Sequence, residues 1–364
     1  MRADEVLEQA KTFQVSPAHT LPNLFRYRRA TLAAVLDVFF ADRRLKSVYA
    51  SLWPYQGLPP SEMSFLSWAT MMAGFTYEGG FYCRGSFQCY ANALAGSLQA
   101  SGGELLLNAS VRSICVDRGR AAGVVLENGQ LIRSEVVVSN ADTRQTLEQL
   151  LGRHELPEGY WRKFEDMSPS ISVFVVYLAT DLPFSGMRHA HESFFFEGFD
   201  HERSFQLTQQ GAANWFSVTV PTLSDATLAP AGQHLMLLTE LCPYHVGRSW
   251  REGKLPYQQR LLAKAESYYP GLRDHVLFVE SGSPRTLERY TLNHKGAAYG
   301  WSALPSQMGP QRPSLKGCIP GLYQVGHWSR PGGGVSAVSV SGVLLSQELL
   351  GITVREDFWR GFGL

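Results

Sequence analysis

Leu322-Tyr323-Gln324-Val325-Gly326-His327-Trp328-Ser329-Arg330-Pro331-Gly332-Gly333-Gly334-Val335 holds the strongest local signal in the chain. Leu322 to Val325 reads as a short strand, Gly326 to Gly334 as a glycine-rich turn, and Val335 to Leu350 as a helix of small and apolar residues. In that order they bring backbone N–H groups and a helix N-terminus to one place, which suits an anion or the polar edge of a ring. Consecutive glycines let the backbone approach a ligand where any Cβ would collide.

Gly332-Gly333-Gly334-Val335-Ser336-Ala337 also matches G-x-G-x-x-A, the dinucleotide fingerprint. That fingerprint opens a βαβ unit followed by further strands, and the 27 residues after Ala337 are too few to build one. A nicotinamide-binding reading of the turn is therefore set aside.

Upstream, a second texture begins at Glu78-Gly79-Gly80. A helix is expected from Phe87 to Ala100, stopped by Ser101-Gly102-Gly103, then a strand from Glu104 to Asn108. Val111 to Val116, Ala121 to Leu126 and Leu131 to Ser134 read as short strands with turns at Arg118-Gly119 and Asn128-Gly129. Val136-Val137-Val138 reads as a buried strand with Ser139-Asn140-Ala141-Asp142 at its carboxyl end, and Thr143 opens a helix.

From Ser170 to Phe278 strand-like runs dominate: Ile171 to Leu178, Phe194 to Phe196, Phe216 to Val220, Leu235 to Leu241 and Val276 to Val279. One helix, Tyr257 to Tyr269, interrupts them, so a mostly antiparallel sheet is expected as a second domain inserted into the first. Before Gly79 the pattern is helical. Phe25, Leu32, Val35, Leu36 and Phe39 recur at three- and four-residue steps between Ala3 and Leu52, and Ser61 is placed to cap a helix from Glu62 to Gly74. The Trp68, Met71 and Met72 stripe on that helix reads as ordinary core or as a wall facing a substrate.

Composition excludes several classes. With 364 residues, 45% hydrophobic and 18% charged, the chain has apolar material for a sizeable core and is not a disordered type. Lys+Arg at 33 against Asp+Glu at 32 gives no support for nucleic acid as a partner. The five cysteines, Cys83, Cys89, Cys115, Cys242 and Cys318, form no C-x-x-C pair and fit reduced cytoplasmic thiols. His189, His191 and His201 are too irregularly spaced to fix ligands on one face, so no metal is expected. Met1 to Glu5 is polar with no apolar run behind it, and no stretch reaches the length of a membrane span. A cytoplasmic chain with at most peripheral membrane contact is the expectation.

The order and spacing of these pieces resemble the phytoene desaturase family, which includes carotenoid desaturases, carotene isomerases and retinol saturases. The matching positions of the turn are Val325, Gly326, Pro331, Gly332, Gly334 and Val335. Gly79 to Ser86, Val111 to Ile114, Gly123 to Gly129, Val137 to Asp142, Ser283 to Thr286, Gly296 and Tyr299-Gly300 are similar to the family's other segments. The resemblance implies an α/β (mixed α+β) fold with an FAD/NAD(P)-binding-type domain interleaved with an antiparallel-sheet-plus-helix substrate domain. The expected segments are 1–77 (helical part of the substrate domain), 78–142 (FAD domain), 143–282 (substrate domain), 283–351 (FAD domain) and a 352–364 tail.

It further implies FAD as cofactor, with contacts at Val111, Asn140, Ala141, Gly326, His327, Trp328, Pro331, Gly332, Gly333, Gly334 and Val335. No catalytic side chain is implied, because hydride passes between substrate and flavin N5 while the protein positions the substrate. His327 reads as a proton relay, a cofactor contact or a structural hydrogen-bonding group, and Trp328 as a wall. The implied activity is desaturation, saturation or cis–trans isomerisation of a carotenoid-like or other isoprenoid polyene. The family's opening strand and G-x-G-x-x-G turn have no counterpart here, so a fragment, or a second polypeptide supplying that segment, is expected. The alternative is a non-catalytic lipid-binding protein or a subunit of a split flavoenzyme.

Overall fold

Pairing in the chain is divided among three sheets; the computed structural model describes residues 21–184, 190–352 and 354–361. The first sheet is an antiparallel meander of β1 (Val111–Asp117), β2 (Arg120–Leu126) and β3 (Leu131–Arg133). Arg118 and Gly119 both take positive φ between β1 and β2, as a two-residue hairpin following the strand twist requires. Strand β4 (Val137–Ser139) follows but joins another sheet.

Strands β5 (Ser172–Thr180), β6 (Glu192–Phe196), β7 (Trp215–Thr219), β8 (His234–Cys242) and β9 (Val276–Gly282) form an antiparallel sheet in the order β6-β7-β8-β5-β9. Its two faces are covered differently. Phe174, Val176 and Leu178 of β5, with Val218 and Leu238, pack under the helix Trp250–Glu266 through Tyr257, Leu261 and Ala265. Val173, Phe194, Phe196 and Trp215 face the opposite way, onto the N-terminal helices through Leu32, Leu36, Trp53 and Trp68. The period-2 alternation of a strand produces this sorting, and each fully buried Leu, Val or Phe contributes roughly 2 kcal/mol. Glu240 of β8 is buried on the helix side, where the Tyr257 hydroxyl, Arg260 and Lys264 all donate to its carboxylate.

Strand β10 (Leu322–Gln324) lies parallel to β4, with Leu322 opposite Val137 and Gln324 opposite Ser139. The crossover between them contains the entire five-stranded sheet, so that sheet is an insertion into a parallel pair. The helix Val335–Leu350 follows β10, with the bounds its flanking glycines suggested.

Several expectations need correction. Glu104 to Asn108 is not a strand: no described strand runs beside it to share a ladder, and Leu105, Leu106 and Leu107 stand exposed. The second N-terminal helix is Phe65–Tyr77, capped by Ser64, whose hydroxyl accepts from the Ser67 amide. Ser61 instead gives its amide and hydroxyl to the Glu202 carboxylate. The helical run expected from Ala3 to Leu52 is three helices, Pro22–Tyr27, Leu32–Phe39 and Arg43–Ala50, the last two capped by Thr31 and Asp42; its first part, residues 3–20, lies outside the described residues. The helix expected at Tyr257 starts earlier, at Trp250, with the Ser249 hydroxyl as cap. Among the described residues no helix is long and apolar enough to cross a membrane.

Candidate cofactor-binding site

Parallel strands hold ligands beyond their carboxyl ends, and in this chain the ends of β4 and β10 lie side by side. Asn140 follows one and Gly326 the other. The Val325 amide donates to the Ser139 carbonyl, and the Gly326 amide donates to Ser341 Oγ at 2.9 Å, which anchors the start of the turn to the helix behind it. Gly326 has φ +84° with Asn140 Oδ1 filling the space a Cβ would take. Only glycine meets both conditions.

Beyond Gly326 the turn folds over its own interior. The Ser329 amide and hydroxyl both donate to the Gly326 carbonyl, and the Arg330 amide donates to the Pro313 carbonyl. Gly332 is buried at φ +137° against the Arg312 guanidinium, and a Cβ on Gly333 would press on the Tyr299 carbonyl. Gly334, at φ +99°, has open space where a Cβ would stand and forms the N-cap of the helix without any side-chain cap. Pro331 and Gly333 to Ser336 are exposed. The first amides of a 16-residue helix therefore face outward unsatisfied by side chains, with the positive end of the helix dipole behind them.

Beneath the turn lies Arg312, 2% exposed. It donates to the carbonyls of Ser329 at 3.0 Å, His327 at 2.6 Å and Trp301 at 3.2 Å, so one side chain fixes three points around the loop. Burial draws its guanidinium down to about 10, a range in which it remains charged at neutral pH. Burial, and then the charge of Arg312, push His327 down to about 4, so His327 is neutral at pH 7. Trp328 turns inward: its indole donates to Asn293 Oδ1 at 2.9 Å and its ring packs edge-on against Trp301 in the core. It supports the turn from behind.

Ala141 sits at the carboxyl end of β4, its amide on Ser139 Oγ at 3.2 Å. The next residue, Asp142, is buried; burial raises its carboxyl, while the amides of His294 and Arg144 at 2.8 and 2.7 Å pull the other way. Val111 opens β1 opposite Leu126, and the adjacent Ser110 lines a hollow of about 380 Å³ with Leu106, Leu107 and Glu127. The eleven expected residues thus fall into one cluster, Asn140 to Ala141 with Gly326 to Val335, and one outlier on another sheet, Val111. Arg312, Asn293 and Ser341 also build the turn and were not anticipated, and Tyr299 builds it too, though it was named only within a family-like segment; buried polar partners of a loop carry no periodicity to mark them.

Other candidates have local roles. His201 is buried and accepts at Nδ1 from the Trp53 indole, with Ser47 at Nε2. His191 Nδ1 meets Ser224 Oγ, and His189 lies outside the described residues. Among the described residues no three His, Cys, Asp or Glu side chains could share a metal. All five cysteines are free thiols. Trp68 belongs to the core, with Met71 and Met72 half-buried beside it.

The family model described as "Flavin containing amine oxidoreductase" matches residues 3–350. A prolycopene isomerase of Arabidopsis thaliana is 30% identical over 75% of this chain and 46% of its own length. One of Daucus carota is 28% identical over 75% and 44%. A zeta-carotene-forming phytoene desaturase of Myxococcus xanthus is 26% identical over 91% of this chain and 64% of its own length. The chain thus spans roughly half to two thirds of these curated relatives. Among solved structures, an oxidoreductase from Methanosarcina mazei superposes with a TM-score of 0.64 at 18% identity over 90% of this chain and 71% of that one. A putrescine oxidase variant gives 0.62 at 14% identity over 96% and 74%. These two likenesses concern the fold.

Proposed function

The chain belongs to the flavin containing amine oxidoreductase family, and from that premise we propose that it forms the flavin-facing and substrate-covering part of an FAD-dependent oxidoreductase acting on an extended isoprenoid polyene. The observation that carries the reading is the turn Gly326 to Gly334, which presents uncapped helix amides and a Cβ-free surface beside Asn140 at the ends of two parallel strands. The donor set fits the isoalloxazine end of FAD. Backbone N–H groups, a helix N-terminus and a buried guanidinium are all of the sign that favours a ring edge gaining negative charge. When bound, the flavin supplies two-electron chemistry by exchanging hydride at N5.

The residues of this chain bind and orient. Gly326 and Asn140 set the position of the turn, Gly332 to Val335 offer amides, and Arg312 ties down the carbonyls of His327 and Ser329. Neutral His327 neither repels a cation nor supplies a proton at pH 7, so its part is to pack, its ring edge-on to Trp328. For the substrate, an elongated hydrocarbon is in line with relatives named for prolycopene and phytoene, and with Met71, Met72, Phe194 and Phe196, which stay only partly buried where they pack on the core. Desaturation, saturation and cis–trans isomerisation all remain within that chemistry.

A phosphate-cradling strand and turn complete the site, from the same polypeptide or a second one. Three features support this. Among the described residues β4 is paired on one edge only; the helix Ser86–Ala100 has no buried residue; and Leu105, Leu106 and Leu107 are exposed beside it. An open strand edge and exposed apolar side chains are each what a parallel strand and its helix would cover. The exposed Val38, Phe39 and Val48 of the N-terminal helices support peripheral contact with a membrane that stores the substrate.

The test is an absorbance spectrum of the purified chain after incubation with FAD and removal of the free cofactor, alongside a longer protein carrying a dinucleotide-binding segment. Flavin bands retained by either support the reading, and polyene turnover follows. Loss of flavin from both overturns it in favour of a non-catalytic lipid-binding protein.

A further inference from the structure

Among the described residues, buried charges come with partners of opposite sign or with backbone amides, apart from one. Glu240 has two cations at 2.6 Å, and Asp142 is met by backbone amides. Arg312, equally buried, forms no ion pair with any carboxylate among the described residues. Its Nε and Nη2 are taken by carbonyls, while Nη1 has only the Met308 sulfur, at 3.5 Å. The sequence around it is equally one-sided: the 59 residues from Arg289 to Gln347 contain Arg289, Lys295, Arg312, Lys316 and Arg330 and no Asp or Glu. A buried cation whose charge is left uncompensated is costly. Carbonyl ligands hold its geometry and solvate it without cancelling it. Gly332 packs against the guanidinium two residues before Gly334, the uncapped N-cap of the helix, so the charge lies at the base of the turn that carries the helix amides.

We infer that Arg312 is a positioning residue that also acts electrostatically. It fixes the turn through three carbonyls, and its unpaired charge favours the anionic, reduced form of the flavin bound there. This rests on the flavin reading above. A purely structural arginine would act through its hydrogen bonds alone. The two roles separate because the charge can be cancelled without removing the side chain. Met308 is half-buried next to Nη1, so Met308→Glu places a carboxylate against the guanidinium and leaves the three carbonyl contacts in place.

The experiment is a redox titration of bound flavin in the FAD-loaded protein, comparing wild type, Met308→Glu, Arg312→Lys and Arg312→Met, each checked for folding by circular dichroism. Neutralisation by Met308→Glu is expected to shift the oxidised-to-reduced equilibrium roughly tenfold toward oxidised flavin, the effect of losing one nearby charge. Arg312→Met shifts it the same way, and Arg312→Lys, which keeps the charge, stays nearer wild type. A second readout uses the chain without flavin: the His327 imidazole, titrated by NMR, moves up toward its ordinary value in Met308→Glu. An unchanged redox equilibrium in a folded, flavin-loaded Met308→Glu protein overturns the inference and leaves the flavin site standing. A wild-type protein that holds no flavin overturns both.

Discussion

The side-chain carbonyl of Asn140 occupies the space a Cβ on Gly326 would need, so the ends of two parallel strands meet at an amide and a bare α-carbon. Gly326→Ala is therefore expected to destabilise the chain by roughly 2–5 kcal/mol, combining positive-φ strain with overpacking. Adding Asn140→Gly should recover the packing part and leave the strain. Urea titrations of the two single variants and the double variant measure this, and equal midpoints for Gly326→Ala and the double variant would contradict it.

His327 is held at about 4 against an ordinary 6.5, mainly by burial. Between those values the unfolded chain binds a proton that the folded chain refuses, so stability is full above pH 6.5 and falls as pH drops toward 4. The loss amounts to at most roughly 3 kcal/mol for this group. His201, lowered by burial among Trp53 and Ser47, adds to it in the same direction. His327→Gln should unfold with a flatter pH dependence than wild type across that window, although the ordinary carboxylates titrate identically in both.

Glu240 answers two cations and the Tyr257 hydroxyl from one buried carboxylate. Glu240→Gln strands Arg260 and Lys264 and is expected to cost roughly 3–5 kcal/mol. Lys264→Met should cost less, because Arg260 and Tyr257 still neutralise and hydrogen-bond the acid. Thermal melts that rank the two variants the other way would refute this account.

Leu107 is 75% exposed and Val138, on the open edge of β4, is 45% exposed. Leu107→Glu and Val138→Lys should each leave the chain's own stability within about 0.5 kcal/mol. In a longer protein carrying the dinucleotide-binding segment, the same changes should weaken flavin retention. If they strongly destabilise the chain alone, the surface is part of its own core and not a docking face.

The parts of the fold that could be read from sequence were those with local punctuation. Val335–Leu350 is framed by Gly334 and Gly351, and β5 to β9 are apolar runs between turns. Reading failed where an element depends on a neighbour. Glu104 to Asn108 has strand composition but no described partner to complete a ladder, and Ser61 and Ser64 are equivalent caps until Glu202 claims one. At the site, the turn's glycines were legible as a run, and three of them, Gly326, Gly332 and Gly334, take the positive φ that favours glycine. Arg312 was not, since an arginine among Pro, Gln and Gly reads as exposed; the absence of acids on both sides of it was the available signal.

The parallel pairing of β4 with β10 also sets the order in which the molecule can be made. Ser139 and Gln324 meet only after about 180 intervening residues, including all five strands of the large sheet, have been placed. The ligand end of the turn is therefore among the last features to close, and it closes only on a correctly folded insertion. Flavin retention would then report on the integrity of residues far from any contact with it. A lesion deep in the large sheet, such as one at Glu240, would show up as a flavin defect, with no change in the residues at the site.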